Sequence, residues 1–178
     1  AVAEPKRQPE KFGSVERLFN ACDRLNPVLL ATLSALCERQ GGQFHGATVK
    51  GEDRALQKVY RSYGEDHLKL TDLNRCGLAF EDFDQMAACL RAISDDEDIV
   101  VLKMKPNKMR FDEGYDATES GGYRDIQIAV RLDTEWTREQ GLDKILCEVQ
   151  LHISAFYHRK TTGGGHRAYV QKRNILGQ

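Results

Sequence analysis

Apolar residues in the first half of the chain recur mainly at helical spacing. Ser14 is a favourable N-cap, and apolar positions follow it at intervals of three and four residues as far as Leu25. Pro27 stands where a second helix would begin, so the pattern predicts a break there and a new helix from Val28 to about Gln40. Further helices are predicted at 52–63 and at 81–93, the latter with Phe83, Met86, Cys89 and Leu90 facing inward, and a strand is predicted at 71–80.

Apolar and polar residues alternate in the second half of the chain, as is typical of strands. Strands are predicted at 98–105, 123–132 and 144–151. The segment 106–121 is long and polar, and we interpret it as a mobile loop at the edge of a ligand pocket. A last helix is predicted near the C-terminus. The order of elements predicts an α+β domain in which helices flank a small mixed sheet of four or five strands.

The composition is that of an ordinary globular domain. The 178 residues suit one domain at 13–178, preceded by an extended polar arm at 1–12. A net charge of -1 gives no signal for nucleic acid, and no apolar run is long enough to span a bilayer. Five cysteines without paired spacing are predicted to be buried and reduced, which favours an intracellular location. The start at Ala1 fits an organellar protein whose transit peptide has been removed, and equally a trimmed chain.

Three basic residues, Lys50, Arg54 and Lys58, are spaced four positions apart. On one helix face they would spread over about 12 Å, a length similar to a triphosphate, which such cations can bind. Because acidic residues are interleaved with them, the same pattern also fits a solvated helix face. The spacing alone leaves both interpretations open.

Asp72 begins a predicted strand, and Glu148 lies inside a later one. Two carboxylates on neighbouring strands suit a magnesium ion that completes its shell with phosphate oxygens and water. The alternative is that Asp72 caps a turn while Glu148 pairs with Arg124 or Arg131.

Aromatic and basic side chains near the end of the chain suggest a nucleotide site. Tyr123 and Arg124 follow a double glycine and could stack on and clamp a base, although an exposed cross-strand pair would look the same. His166, near the predicted last helix, could contact a phosphate or simply lie at the surface. The other histidines have no metal-ligand spacing, and no role is assigned to them: His45, His67, His152 and His158.

The order of these features resembles the synthetase domain of the RelA/SpoT family. A basic helix, an aspartate, a Gly-Tyr strand, a Glu-Val-Gln strand and a late histidine followed by Tyr169 occur in that order, over roughly residues 45–174. The resemblance implies a nucleotidyltransferase-like fold. It also implies transfer of pyrophosphate from ATP to the 3′ hydroxyl of GDP or GTP, with Mg²⁺ as cofactor.

The resemblance also implies roles for individual residues. Lys50 and Lys58 match the basic helix residues that contact the ATP phosphates. Asp72 matches the magnesium-binding aspartate, and Glu148 the acid implicated in magnesium binding and in activating the acceptor hydroxyl. Tyr123 is similar to the tyrosine that stacks on the acceptor guanine. The remaining match is His166, which resembles the histidine of the family's C-terminal helix.

The chain departs from the family pattern at several positions around the phosphates. Thr48 stands where an arginine is common, and Arg54 where a serine is usual. Gln127 replaces the histidine of the Gly-Tyr-x-Ser-Leu-His motif, and His152 follows Leu151 where the family usually has Ile-Arg. Each cation lost near a triphosphate removes charge stabilisation of the transition state.

Two functions therefore remain open. The first is a magnesium-dependent nucleotide pyrophosphokinase that uses ATP and a guanosine nucleotide. The second is a catalytically inactive RelA/SpoT-like domain that acts through protein partners, as a structural or interaction subunit of a larger assembly, for example an organellar one. Asp72 and Glu148 discriminate between the two, because a scaffold has no need to retain both carboxylates.

Overall fold

A computed structural model describes residues 7–102, 109–120 and 122–161. Within these residues the chain forms five strands and five α-helices. The strands are β1 (Gln43–Gly46), β2 (Arg75–Phe80), β3 (Ile99–Val101), β4 (Ile126–Leu132) and β5 (Cys147–Ile153). The helices are α1 (Val15–Arg39), α2 (Glu52–Ser62), α3 (Phe83–Asp95), α4 (Glu135–Glu139) and α5 (Ser154–Thr161).

The described strands form one mixed sheet in the order β1-β2-β5-β4-β3. β2 and β5 run parallel, and the other neighbouring pairs are antiparallel. The α+β class and the small mixed sheet are therefore confirmed. Because β5 is central, residues from three strands meet along its length.

The sheet has one apolar face and one polar face, as the alternation of its strands requires. Cys76, Leu78 and Phe80 of β2 share the apolar face with Val149 and Leu151 of β5, and all are buried. Helices α1 and α3 pack in the core on that side. The other face, called here the polar face, carries His45, Gly77, Gln127, Glu148, Gln150 and His152.

Helix α1 runs through Pro27, so the predicted break is wrong. A proline removes one backbone hydrogen bond from a helix interior. Here Leu25 and Leu29, on either side of it, are both fully buried in the same core. Burial of one continuous apolar face therefore outweighs the lost bond. Asn26 donates a side-chain hydrogen bond to the Ala47 carbonyl at 3.1 Å, which ties the middle of α1 to the segment after β1.

Several other elements differ from the predicted ones. β1, α4 and α5 were not predicted. A capping box between Thr134 and Thr137 holds the first turn of α4. Phe83 does not face inward: its side chain lies at the start of α3 and is 55% exposed. β2 begins four residues later than predicted and β4 three residues later. Asp72 and Tyr123 therefore lie in the segments that lead into these strands.

The predicted polar loop is described from residue 109 to 120. Met109 forms an isolated β-bridge with Ile126, and a single 3-10 turn spans Ala117–Ser120. Phe111 packs against the core, in edge contact with Phe83 and Phe156. That this loop is the mobile edge of a ligand pocket stays a prediction.

Residues near the N-terminus contact the rest of the domain. Gln8, in the segment predicted as an arm, is buried and donates to the carbonyls of Leu70 and Leu146 at 3.0 Å each. Phe12 is buried as well. The division between an arm at 1–12 and a domain at 13–178 stays a prediction.

All five cysteines are free and buried, as predicted. Burial raises the pKa of Cys37 to about 11 and that of Cys22 to about 12, which makes both thiols poor nucleophiles at neutral pH. In the described part of the chain, no helix has the length and apolar character needed to cross a bilayer.

Candidate functional site

Lys50, Lys58 and Asp72 form an ion cluster beside the start of β2. The Nζ atoms of Lys50 and Lys58 lie 2.7 Å and 2.9 Å from the same oxygen, Oδ2 of Asp72. Lys50 precedes α2, and its backbone N–H donates to the Leu73 carbonyl at 3.0 Å, which fixes the two segments side by side. Lys58 reaches the cluster from the second turn of α2. Two of the three predicted ladder residues thus meet at the predicted metal-binding aspartate.

The cluster sets the charge states of its members. Burial alone would raise the pKa of Asp72, but Lys58 and Lys50 outweigh it and lower that pKa to about 2. Burial lowers the pKa of Lys50, which Asp72 only partly offsets because Lys58 and Arg75 add positive charge nearby. Burial also acts to lower the pKa of Lys58, but Asp72 and Tyr63 together outweigh it, so that this pKa is raised. Asp72 is therefore an anion held by two cations.

The second oxygen of Asp72 is a candidate ligand for a cation. Oδ1 is buried and has no hydrogen-bond partner among the described residues. A buried carboxylate oxygen without a partner is costly, and a metal ion would satisfy it. The described residues contain no cluster of three or more His, Cys, Asp or Glu side chains that could hold a metal by itself. A magnesium ion here would need water and substrate phosphates to complete its shell, as Mg²⁺ commonly does.

Glu148 lies at the same end of the sheet as Asp72. It is paired in register with Arg75, the first residue of β2, and its backbone N–H donates to the Asn74 carbonyl at 2.9 Å. Asp72 precedes Asn74 by two residues, so both carboxylates stand where parallel β2 and β5 begin. The Glu148 side chain is half-buried on the polar face, and Gln150 donates to its Oε1 at 2.6 Å.

The alternative pairing of Glu148 with an arginine does not occur among the described residues. Arg124 instead donates to the Arg110 carbonyl at 2.8 Å and lies over the ring of Tyr115, 5.8 Å from its centroid. Arg131 is 3.9 Å from Asp133. The Glu148 carboxyl group is therefore paired with neither arginine.

Tyr123 joins the polar face through its hydroxyl group. The hydroxyl donates to Oδ2 of Asp125 at 2.9 Å and lies 3.1 Å from Nδ1 of His152. Burial, and next the negative charge of Asp125, raise the pKa of the Tyr123 phenol far above its usual value, and Glu148 adds to the rise. The phenol thus stays protonated, and Tyr123 and Glu148 are close enough to interact electrostatically.

Asp125 and His152 were not predicted as site residues. Both are fully buried, and both bind the hydroxyl of Tyr123. Asp125 stands directly between the Gly-Tyr-Arg run and β4, and an acid at the edge of an apolar strand was the signal that could have found it. His152 occupies an alternating polar position of β5, next to the Glu-Val-Gln run.

Two predicted site residues are not part of these clusters. Arg54 is exposed, and no ion pair or side-chain hydrogen bond in the described part of the chain includes it. Arg124 binds the 109–116 segment rather than the polar face. His166 lies outside the described residues, as does the helix predicted from it.

Comparison with known proteins rests on structure alone. No protein-family model matches the sequence, and no curated protein matches it. A GTP pyrophosphokinase family protein from Streptococcus pneumoniae matches with a TM-score of 0.64 at 15% identity, covering 88% of this chain and 78% of that one.

Small alarmone synthetases give similar matches. Small alarmone synthetase 1 from Bacillus subtilis matches with a TM-score of 0.59 at 15% identity, over 95% of this chain and 97% of that one. Structures of that enzyme bound to its product pppGpp and to AMPCPP match with a TM-score of 0.58 each, at 19% and 13% identity, over 89% and 95% of this chain and 82% and 88% of theirs. The type VI effector Tas1, solved in complex with its immunity protein, matches with a TM-score of 0.55 at 17% identity, over 88% of this chain and 75% of that one. The protein therefore has the fold of the small alarmone synthetases and of the GTP pyrophosphokinase family, the RelA/SpoT-like synthetase fold that its sequence resembles.

Proposed function

We propose that the protein is a magnesium-dependent nucleotide pyrophosphokinase, which transfers pyrophosphate from ATP to the 3′ hydroxyl of a guanosine nucleotide. One observation carries the proposal: Lys50 and Lys58 hold Asp72 at the end of the sheet where Glu148 also lies. This places cations suited to phosphate beside two carboxylates suited to magnesium. The fold shared with solved synthetases supports the same conclusion.

Asp72 and the two lysines would prepare the ATP site. Asp72 pairs with both lysines while no phosphate is present and offsets part of their positive charge, so the cluster can exist without ligand. When ATP binds, phosphate oxygens can share the Nζ atoms of Lys50 and Lys58. A magnesium ion held by Asp72 and Glu148 would supply positive charge to the phosphates as negative charge shifts between them during transfer.

Glu148 would act on the acceptor. The 3′ hydroxyl oxygen forms a bond to the β-phosphorus of ATP, the bond from that phosphorus to the α–β bridging oxygen breaks, and AMP leaves. The hydroxyl proton must go to a base, and Glu148 presents a half-buried carboxylate on the polar face. The Gln150 amide, 2.6 Å from Oε1, orients that carboxylate. Tyr123, near Glu148, would stack on the acceptor base.

A second function is a nucleotide-binding domain without transfer activity, acting through protein partners. It is favoured by the altered cations: Arg54 is exposed away from the cluster, and Gln127, at the position of the family's histidine, binds Asp125 instead. Such a domain would retain the ion cluster and lack turnover. An intracellular, or organellar, location fits either function.

The proposal is tested by incubating the protein with ATP, Mg²⁺ and GDP or GTP, and resolving the nucleotides by chromatography. Wild-type protein should form AMP and a pyrophosphorylated guanosine nucleotide in equal amounts. Glu148→Gln keeps the shape of the side chain but removes its charge, so turnover should fall at least about 100-fold while the circular dichroism spectrum is unchanged. The matched control is Glu97→Gln, at an exposed glutamate remote from the cluster, which should leave turnover unchanged. Absence of turnover in wild-type protein that still binds ATP would establish the second function instead.

A further inference from the structure

A single buried carboxylate organises the groups around Tyr123. Asp125 is fully buried and accepts hydrogen bonds from the Tyr123 hydroxyl at 2.9 Å and from Nε2 of Gln127 at 2.8 Å, both at Oδ2. Arg110 forms an ion pair with its other oxygen, Oδ1. A carboxylate only accepts hydrogen bonds, so all three partners must point their N–H or O–H groups toward it.

The direction of the Tyr123 hydroxyl proton determines which ring nitrogen of His152 carries a proton. A phenol has one proton, and here that proton is given to Asp125. The phenol oxygen can therefore only accept from Nδ1 of His152, 3.1 Å away. His152 must then carry a proton on Nδ1. The charge of Asp125 thus fixes the tyrosine hydroxyl and, through it, the protonated nitrogen of a histidine on the polar face.

The same carboxylate connects Tyr123 to the segment that precedes it. The Arg110 guanidinium lies over the Tyr123 ring, 5.8 Å from its centroid, and the Arg110 backbone N–H donates to the Asp125 carbonyl at 2.9 Å. Arg124 in turn donates to the Arg110 carbonyl. The ring is consequently held at its hydroxyl and covered by a cation on one face.

Three departures from the Gly-Tyr-x-Ser-Leu-His and Glu-Val-Gln-Ile-Arg patterns meet in this network. Asp125 stands at the serine position, Gln127 at the histidine position and His152 at the arginine position. Because Gln127 binds Asp125, and His152 is connected to Asp125 through Tyr123, the three residues form one hydrogen-bonded unit rather than three independent substitutions.

We propose that Asp125 is a positioning residue for the acceptor nucleotide, which orients the Tyr123 ring through its hydroxyl so that the ring can stack on the acceptor base. The inference rests on the proposed function, since it concerns the acceptor half of that site. Asp125 itself contacts no substrate, because it is fully buried and already bound by three donors. Its effect is therefore confined to the acceptor and should not reach the ATP site around Asp72.

Binding of GDP and of AMPCPP, measured by calorimetry with Mg²⁺ present, tests the proposal. Asp125→Asn should raise the dissociation constant for GDP at least about tenfold and leave that for AMPCPP within about twofold. Tyr123→Phe keeps the ring and removes only the hydroxyl, so it should weaken GDP binding similarly, and adding Asp125→Asn to it should cause less than about a twofold further change. Asp133→Asn is the matched control, since Asp133 follows the same strand, also pairs with an arginine, and lies at the opposite end of β4.

The tautomer of His152 distinguishes a positioning role of Asp125 from a role in stability alone. Nitrogen NMR of histidine-labelled protein should show the proton of neutral His152 on Nδ1 in the wild type. In Asp125→Asn the new amide can donate to the phenol oxygen, the phenol proton turns to His152, and the histidine proton should move to Nε2. An unchanged tautomer together with unchanged GDP affinity in Asp125→Asn would overturn the inference and leave the proposed function intact. Wild-type protein that binds neither nucleotide would overturn the proposed function, and the inference with it.

Discussion

Asp72 illustrates how a single residue can serve the protein with and without a ligand. Its Oδ2 atom accepts from two lysines, while its Oδ1 atom is buried without a partner in the described part of the chain. The first arrangement stabilises the fold by keeping Lys50 and Lys58 paired. The second leaves a ligand atom for a cation. Both properties follow from placing one short acidic side chain between α2 and β2.

The ion cluster predicts a component of stability that depends on acid pH. Because the pKa of Asp72 falls from its usual 3.8 to about 2 in the folded protein, the folded state binds a proton less readily than the unfolded chain. The contribution, on the order of 2 kcal/mol, should be complete above about pH 4 and lost as the pH falls toward 2. Asp72→Asn should abolish it. Urea unfolding of the wild type and the variant between pH 6 and about pH 3 measures their free energies of unfolding. A difference between the two free energies that does not change with pH would contradict the predicted role of the ion cluster.

Lys50 and Arg54 give a matched test of which cations bind ATP. The side chain of Lys50 is 11% exposed and contacts Asp72, whereas Arg54 is exposed and lies outside the cluster. Lys50→Ala should weaken AMPCPP binding at least about tenfold, because it removes a charged phosphate contact that is shielded from water. Arg54→Ala should change the affinity less than about threefold, since an exposed charge is largely screened. Calorimetry measures the AMPCPP affinity of both variants. Equal losses of affinity would mean that Arg54 also contacts the phosphates, as the spacing of the three basic residues suggested.

Motifs and their spacing predicted Lys50, Lys58, Asp72, Tyr123 and Glu148 as site residues, and the structure brings the first three into one ion cluster. Asp125 and His152 were not predicted. The hydrogen bond of His152 joins it to Tyr123, 29 residues earlier in the chain, and no local pattern specifies that contact. Asp125 is only two residues from Tyr123, and its position at the edge of an apolar strand was a local signal that the motif did not include. Arg54 was placed in the ladder because spacing gives the face of a helix but not the depth at which each residue lies.

At the scale of elements, the close approach between the end of α1 and β2 fixes how the helix packs on the sheet. A Cβ atom at Gly42 would lie 2.7 Å from Sγ of Cys37 and closer still to the ring of Phe80, and both residues are buried. Real Cβ atoms do not approach that closely, so glycine is required where the chain turns from α1 into β1.

Gly42→Ala should therefore destabilise the protein. Both side chains that the new methyl group would meet, those of Phe80 and Cys37, are buried. Overpacking a well-packed core commonly costs about 1–3 kcal/mol. Gly13→Ala is the control: nothing lies within 4 Å of a Cβ at Gly13, so the change should be close to neutral. Denaturant unfolding of the two variants tests the difference. Equal stabilities would mean that α1 can shift away from the sheet.

The elements predicted well are those whose pattern is long and periodic. The alternation of β4 and β5 and the helical spacing of α2 and α3 were sufficient to place them within a few residues. β1 has four residues and only one large apolar side chain, Phe44, so its pairing with β2 had no sequence signal. The Pro27 break was wrong because a proline's local preference was outweighed by burial of the leucines around it.

At the scale of the molecule, the two faces of the sheet differ: one packs in the core, and the other carries the polar candidate site residues. The apolar face, with α1 and α3, forms the core. The polar face carries Glu148 and, through His152, the hydroxyl of Tyr123, while α5 reaches over it with Tyr157 stacked on His45 at 4.0 Å. Ligand groups can therefore be exchanged on one side of the sheet without disturbing packing on the other.

Magnesium-dependent binding of an ATP analogue tests the central claim most directly. AMPCPP has a methylene group in place of the α–β bridging oxygen, so it can bind without transferring pyrophosphate. Calorimetry should show that Mg²⁺ tightens its binding to wild-type protein at least about tenfold relative to EDTA, because the carboxylates of Asp72 and Glu148 need a metal between themselves and phosphate. Asp72→Asn should remove most of that difference. AMPCPP affinity that is the same with and without Mg²⁺, or that is absent in both conditions, would contradict the account.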